Sequence, residues 1–259
     1  MAGTLREIDG CGGDGASLAY DSSFEGLLCA LYRCFKGKFK PGGIYPLGTE
    51  QGSLLGGCEF VESDEGLARR MHGFLQGRMA EGFRMLYNLY LSERPGIGPL
   101  IFDFVRLGVR YGPTFTERHQ DPVIAEARKL SGKVGKEAAK LVGLLRFKEV
   151  GDGIYYAPLE PEYNVVPSIS QHFAERFASL RWVIHDLRRG MGSVYDGSDW
   201  YVTELPSGLF ESMRDVRADY EAMWKAFHEK LSNPERRNPR CQRRFMPGRY
   251  WRHLTEMQL

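Results

Sequence analysis

The chain has 259 residues, of which 42% are hydrophobic and 26% are charged, and its formal net charge is +2 at pH 7. This composition is ordinary for a globular protein with one large domain or two small ones. No apolar run reaches the roughly 18 residues that span a bilayer, which excludes a transmembrane protein. The N-terminal sequence contains no apolar signal core, so we expect a cytoplasmic location and no membrane partner.

The five cysteines are odd in number and form no CxxC motif. Cys29 and Cys34 lie in an apolar helical stretch, which is typical of buried thiols. The sequence therefore gives no support for a zinc or iron–sulfur site, and we expect no metal and no cofactor.

The first half of the chain has mainly helical periodicity. Residues 1–16 are glycine-rich and predict a flexible leader. A short strand at Ala16–Tyr20 precedes a helix capped by Asp21 or Ser22, and residues 36–60 read as an irregular loop. The remaining helices of this half are predicted as one long helix from Ser63 to Tyr90, one over Leu100–Tyr111, and one that begins at Asp121-Pro122.

The pattern changes near Leu144. Residues 144–159 contain two β-prone runs around the turn Gly151-Asp152-Gly153, which predicts a hairpin. A second group of strands is predicted at 182–187, 193–195 and 200–204. Helices are predicted at 168–177 and 209–231.

Together these elements predict an α+β fold. We expect an N-terminal helical half packed with a small antiparallel β-sheet built from two hairpins, plus C-terminal helices. The predicted divisions are a leader at 1–16, a mainly helical half at 17–142 and the sheet with its basic C-terminal segment at 143–259, folded as one globular unit.

The segment from Asn233 to His253 carries seven arginines against one acid, Glu235. Guanidinium groups bind phosphates bidentately and stack on flat rings, so this segment predicts contact with nucleic acid. The alternative is that its aromatic side chains anchor the segment while the arginines are solvated or pair with acids. The candidate nucleic-acid ligands here are Arg240, Arg243, Arg244, Arg249, Tyr250, Trp251 and Arg252.

A second basic stretch runs from Lys129 to Lys148 and contains only one acid, Glu137. Its lysines at positions 129, 133, 136 and 140 recur at i, i+4, i+7 and i+11, which places them on one helix face. This pattern suits either a phosphate-binding face or an ordinary solvated one. We take Lys133, Lys136 and Lys140 as candidate DNA ligands.

A possible site cleft is predicted at His172, His185, Asp186 and Arg188, beside the loop at 160–164. Alternation along a strand sends His185 and Asp186 to opposite faces, so they do not suit a base with its orienting carboxylate. Asp186 and Arg188 share a face and are candidates for a structural ion pair. No catalytic motif is recognised, so the catalytic residues stay unassigned.

Several segments in order resemble a bacterial family of uncharacterised proteins assigned to DNA metabolism or repair. They are AYDSSFEGLL at 19–28, the stretch 144–167, HFAERF at 172–177, WVIHDLRR at 182–189 and the stretch 238–256. Members of that family are encoded beside a radical SAM protein, and a similar domain is elsewhere fused to a uracil-DNA-glycosylase-like domain. The resemblance implies DNA and a radical SAM protein as partners, and it gives no catalytic residues.

These observations favour a DNA-binding accessory protein that works with a radical SAM enzyme in DNA repair or modification. One alternative is an enzyme that itself acts on DNA bases or nucleotides, in a glycosylase-like or hydrolytic reaction. Another is a scaffold whose arginines meet an acidic protein surface.

Overall fold

The computed structural model describes residues 16–49, 58–151, 153–206, 208–209, 243 and 245–257. The chain divides into two compact units, residues 1–134 and 135–259. The division falls inside a long helix. Each unit is described by itself below.

The first unit contains strands β1, β2 and β3 and helices α1 to α4. Helix α1 begins one or two residues later than predicted from Ser22 or Asp21, because Ser23 is the cap and its hydroxyl accepts the Gly26 N–H at 2.9 Å. The bounds are β1 Ser17–Tyr20, α1 Phe24–Gly37, β2 Ile44–Pro46, β3 Cys58–Phe60, α2 Glu65–Arg78, α3 Ala80–Leu91, α4 Gly98–Tyr111 and a 3₁₀ turn at Pro113–Glu117.

The region predicted as an irregular loop, 36–60, contributes two strands to a sheet. Strand β1 is central, and it pairs in parallel with β2 on one side and with β3 on the other. Helix α1 connects β1 to β2, and a crossover of this kind returns the chain in the same direction. The sheet was missed because glycines and prolines obscure the short strands.

The long helix predicted over 63–90 is two helices. Helix α2 starts at its cap Asp64, whose carboxylate accepts the Leu67 N–H at 2.5 Å. It ends at Met79, where the backbone leaves the helical region at φ −146° and ψ 52°. The sequence does not reveal this break, because each helix buries an apolar face and apolar residues therefore continue at helical spacing.

The second unit begins within α5 and contains a five-stranded sheet in the order β4-β5-β6-β7-β8. Helix α6 lies between β5 and β6 in sequence. The bounds are α5 Pro122–Leu144, β4 Lys148–Gly151, β5 Ile154–Leu159, α6 Val166–Arg176, β6 Arg181–Asp186, β7 Met191–Tyr195, β8 Trp200–Glu204 and 3₁₀ turns at Gly248–His253 and Thr255–Met257.

The predicted antiparallel sheet of two hairpins is wrong in its topology. The first hairpin exists, since β4 and β5 are antiparallel around a turn with Gly151 at φ 116° and Gly153 at φ 68°. Strands β6, β7 and β8 are also antiparallel neighbours. However, β5 and β6 are parallel, because α6 carries the chain back to the starting end of the sheet. The fold is α+β with a parallel three-stranded sheet and a mixed five-stranded sheet.

The core of the second unit lies between this sheet and its helices. Its buried side chains include Val165, Ile169 and Phe173 around α6, and Trp182 and Ile184 on β6. The helix predicted over 209–231 lies outside the described residues, apart from its first residue.

Candidate nucleic-acid interface

Helix α5 presents the four lysines that the sequence placed on one face. Asp121 caps its first turn by accepting the Val123 N–H at 2.9 Å. The lysines at 129, 133, 136 and 140 are all exposed. Within the described part of the chain, none of the four forms an ion pair. Lys136 and Lys140 both belong to the second unit, and their i, i+4 spacing places them on one side of the helix.

The acid of this stretch, Glu137, is turned inward. It is only 4% exposed, and its carboxylate accepts four hydrogen bonds. The main-chain N–H groups of Glu162 and Tyr163 donate at 3.0 and 2.8 Å. Nη2 of Arg249 donates at 2.8 Å, and the Tyr250 hydroxyl donates to the same carboxylate oxygen as Arg249. We call Glu137 and these four donors the Glu137 cluster.

The Glu137 cluster fixes the C-terminal segment to the second unit. Tyr250 is 2% exposed, and burial, together with its bond to Glu137, raises the pKa of its phenol. The indole N–H of Trp251 donates to the carbonyl of Met246 at 2.8 Å. Tyr250 therefore anchors the segment, as in the alternative that the sequence left open, whereas the Trp251 bond lies within the segment.

The tail arginines differ in their surroundings. Arg249 reaches a second acid, Glu162, at 3.0 Å, and Arg252 pairs with Glu160. Arg243 is exposed. Arg240 and Arg244 lie outside the described residues, so their predicted contact with DNA stays a prediction.

His253 is half-buried next to this segment and lies 3.7 Å from a carboxylate oxygen of Glu160. Glu160 is already paired with Arg252. Burial, with the charges of Arg252 and Lys148, lowers the pKa of His253 to about 4.

This shift predicts a loss of stability on mild acidification. In the unfolded chain a histidine binds its proton near pH 6.5, whereas native His253 stays neutral down to about pH 4. The unfolded state therefore binds more protons between these values, and the free energy of unfolding falls as pH drops from 6.5 to 4.

In His253→Gln we expect a smaller slope of the free energy of unfolding against pH between pH 4 and 6.5. The decrease should correspond to up to about one bound proton. Urea unfolding at intervals between pH 4 and 7 measures the difference. Asp186 carries a raised pKa that acts in the opposite direction, but it is present in both proteins and cancels. Parallel profiles for the two proteins would contradict the prediction.

The second unit also contains an open cavity of about 510 Å³ between the end of α5, the strands and α6. Five of its lining residues are aromatic and three are basic, and none of the described lining residues is acidic. They are Val142, Gly143, Leu145, Arg146, Phe147, Tyr155, His172, Phe173, Arg176, Phe177, Leu180 and Trp182. The ring of Phe147 lies edge-on to Phe173, Phe177 and Trp182, with centroids 5.1, 5.3 and 6.1 Å apart. We call this the aromatic cavity.

The four residues of the predicted cleft do not form one site. His172 is exposed and lines the aromatic cavity, whereas the other three are not among its lining residues. His185 is buried, and its Nδ1 lies 2.5 Å from the hydroxyl of Tyr156.

Asp186 is 1% exposed, and its ion pair is with Arg189 at 2.8 Å rather than with Arg188. Strand β6 ends at Asp186, so strand alternation no longer applies to the residues that follow. Arg188 gives Asp186 only its main-chain N–H, and its guanidinium donates to the Glu162 carbonyl at 3.2 Å. Burial raises the pKa of Asp186, and the bond from Arg189 opposes that shift.

The acids of the predicted cleft and of the loop at 160–164 therefore have structural partners. Glu160, Glu162 and Asp186 each hold an arginine. In the described ranges, no group of three His, Cys, Asp or Glu side chains could hold a metal ion. The helices of those ranges include none that is long and apolar enough to cross a membrane.

The comparison with protein families covers both the Glu137 cluster and the aromatic cavity. The chain matches the family model of DUF4130, a domain of unknown function, over residues 95–256. The protein belongs to the DUF4130 family. No curated protein and no solved structure matches the chain. The sequence predicted membership of an uncharacterised family, and this part is confirmed. The radical SAM neighbour and the glycosylase-like fusion stay predictions.

The sequence did not predict the Glu137 cluster or the aromatic cavity of this DUF4130 domain. The aromatic side chains of the cavity come from four separate segments, which no local pattern connects. A signal for the Glu137 cluster was present, since Glu137 is the single acid in the lysine-rich stretch 129–148. Its partners are 25 to 113 positions away in sequence, so the sequence could not name them.

Proposed function

We propose that this DUF4130 protein binds DNA through the exposed lysine face of α5, as a non-catalytic partner in DNA repair or modification. The observation that carries the proposal is the exposure of Lys136 and Lys140 without an acid partner among the described residues. The neighbouring acid, Glu137, is buried and compensated by Arg249. Its charge therefore does little to weaken the positive field of the face.

An exposed row of lysines is suited to a sequence-independent contact with a phosphate backbone. Each ammonium group that neutralises a phosphate releases condensed counterions, which favours binding at low salt. Helix geometry separates successive lysines of the face by about one turn, or roughly 5 Å. This spacing is close to the separation of phosphates along an extended strand, so a strand can follow the helix.

The lysine face gives no information about a reaction. The acids of the predicted cleft and its loop, Glu160, Glu162 and Asp186, are paired with arginines, and this supports the accessory role over an independent enzyme. A radical SAM protein as the enzyme partner rests on the family resemblance. In this arrangement the partner carries out the reaction and this chain binds the DNA.

Fluorescence anisotropy with a labelled single strand and a labelled duplex, at several salt concentrations, tests the proposal. We expect Lys136→Ala with Lys140→Ala to weaken binding about tenfold at low salt. The slope of log K against log salt should fall by about 1.4 for the single strand and about 1.8 for the duplex.

The matched control is Arg70→Ala with Arg84→Ala, which also removes two exposed helical cations, one from α2 and one from α3. It should leave both the affinity and the salt slope unchanged. If the lysine variant binds like the wild type, or if the control weakens binding equally, the lysine face is not the DNA site.

A further inference from the structure

The aromatic cavity has a composition that the lysine face lacks. Five aromatic and three basic residues line it, and no acid is among its described lining residues. A volume of about 510 Å³ falls within the range of small-molecule sites. A cavity with flat apolar walls and a cationic rim is complementary to a ligand in which a planar ring is joined to a separate anionic group.

The cations come from the end of α5 and from α6. His172 and Arg176 are four residues apart on α6, so their side chains project from the same side of the helix. Arg176 is exposed and has no acid partner among the described residues. Its guanidinium lies 5.8 Å from the ring centroid of Phe177, which holds the charge beside an aromatic wall. Arg146 is held by its bonds to the carbonyls of Gly143 and Leu145.

One wall residue carries an unused donor. Trp182 is 1% exposed, and its indole N–H has no hydrogen-bond partner in the described structure. Buried donors without a partner are rare in native proteins. Less than 1 Å² of this nitrogen is exposed, so an acceptor atom reaches the N–H only if neighbouring side chains move.

The lysine face leads along α5 toward this cavity. Lys136, Lys140 and Gly143 are spaced i, i+4 and i+7 and therefore share one side of the helix. Gly143 is itself a lining residue of the cavity. A strand whose phosphates follow the lysines would therefore pass the cavity opening in the last turn of the helix.

From this arrangement we infer that the aromatic cavity holds one unstacked nucleotide of a single DNA strand. The base stacks against the aromatic walls, and its phosphate lies near Arg146 and Arg176. Stacking on aromatic side chains tolerates any base, because every base has a flat face. The inference rests on the proposed DNA-binding function and adds the state of the strand that the protein recognises.

The helix offers a way to block the cavity without disturbing the fold. Gly143 is exposed, and a Cβ added to it would meet no atom within 4 Å. Gly143→Trp would place a large ring at the cavity opening. Gly73→Trp on α2 is the matched control, because Gly73 is also an exposed helical glycine with open space around its Cβ.

The experiment compares two single strands of equal length and charge, one with a central 2-aminopurine and one with abasic sites throughout. We expect Gly143→Trp to weaken binding of the first strand about tenfold and to abolish the change in 2-aminopurine fluorescence. Its binding of the abasic strand should equal that of the wild type. Arg176→Ala should weaken the first strand more than the abasic strand.

Three outcomes would overturn the inference. The first is a Gly143→Trp variant that binds both strands like the wild type, and the second is equal weakening by the Gly73→Trp control. Free dTMP that competes as well as the intact strand would also overturn it, because the site would then belong to a free nucleotide. Loss of the proposed function itself looks different, since Lys136→Ala with Lys140→Ala would then leave binding of the abasic strand unchanged.

Discussion

Replacing Glu137 with alanine is expected to lower the free energy of unfolding of the second unit by about 3 kcal/mol. The substitution leaves two main-chain N–H groups, the Tyr250 hydroxyl and the Arg249 guanidinium without their acceptor. Breaking a buried ion pair by removing one partner costs about 3–5 kcal/mol. The expected value lies at the low end because Arg249 is 46% exposed and can be rehydrated.

Urea unfolding followed by tryptophan emission measures this effect in the right part of the chain. All four tryptophans lie within residues 135–259. Glu175→Ala, an exposed acid on α6, is the control and should change stability by less than about 0.5 kcal/mol.

A double-mutant cycle with Arg249→Ala tests the mechanism. The two substitutions together should destabilise the unit by clearly less than the sum of the single effects, because they remove one shared contact. Additive effects would mean that Glu137 acts independently of Arg249.

Gly98→Ala is expected to destabilise the first unit by about 2–3 kcal/mol. Gly98 is the first residue of α4, and a Cβ there would overlap the main-chain oxygen of Ile44 in β2. It would also lie 2.8 Å from the Ile44 nitrogen. Main chain that is paired with β1 yields less readily than a side chain, so either the strand or the helix has to shift.

Thermal unfolding followed by far-UV circular dichroism checks this expectation. Gly73→Ala is the control, because Gly73 lies in α2 with no atom within 4 Å of a new Cβ. It should stabilise the protein by about 0.5–1 kcal/mol, since alanine is the better helix former. Equal behaviour of the two variants would show that the close approach at Gly98 is not limiting.

Several elements of this protein could be predicted from its sequence because their signals are local. Apolar periodicity located α1 and α4, the Asp121-Pro122 start located α5, and the Gly-Asp-Gly turn located the β4–β5 hairpin. Strand direction could not be read in this way. Whether β5 pairs with β6 in parallel depends on where α6 returns the chain, and this is decided by packing against the sheet.

The same distinction between local and long-range signals applies to the candidate site. The sequence by itself determined that four lysines share one face of α5, because helix periodicity alone sets that arrangement. Only the tertiary structure decided what Glu137, Arg249 and Tyr250 do, since their contact closes a loop of more than a hundred residues. The composition of the C-terminal segment suggested that all its arginines could bind DNA. In the structure Arg249 is instead the counterion of the buried Glu137 carboxylate. Burial and pairing depend on which segments meet, and the fold alone settles that.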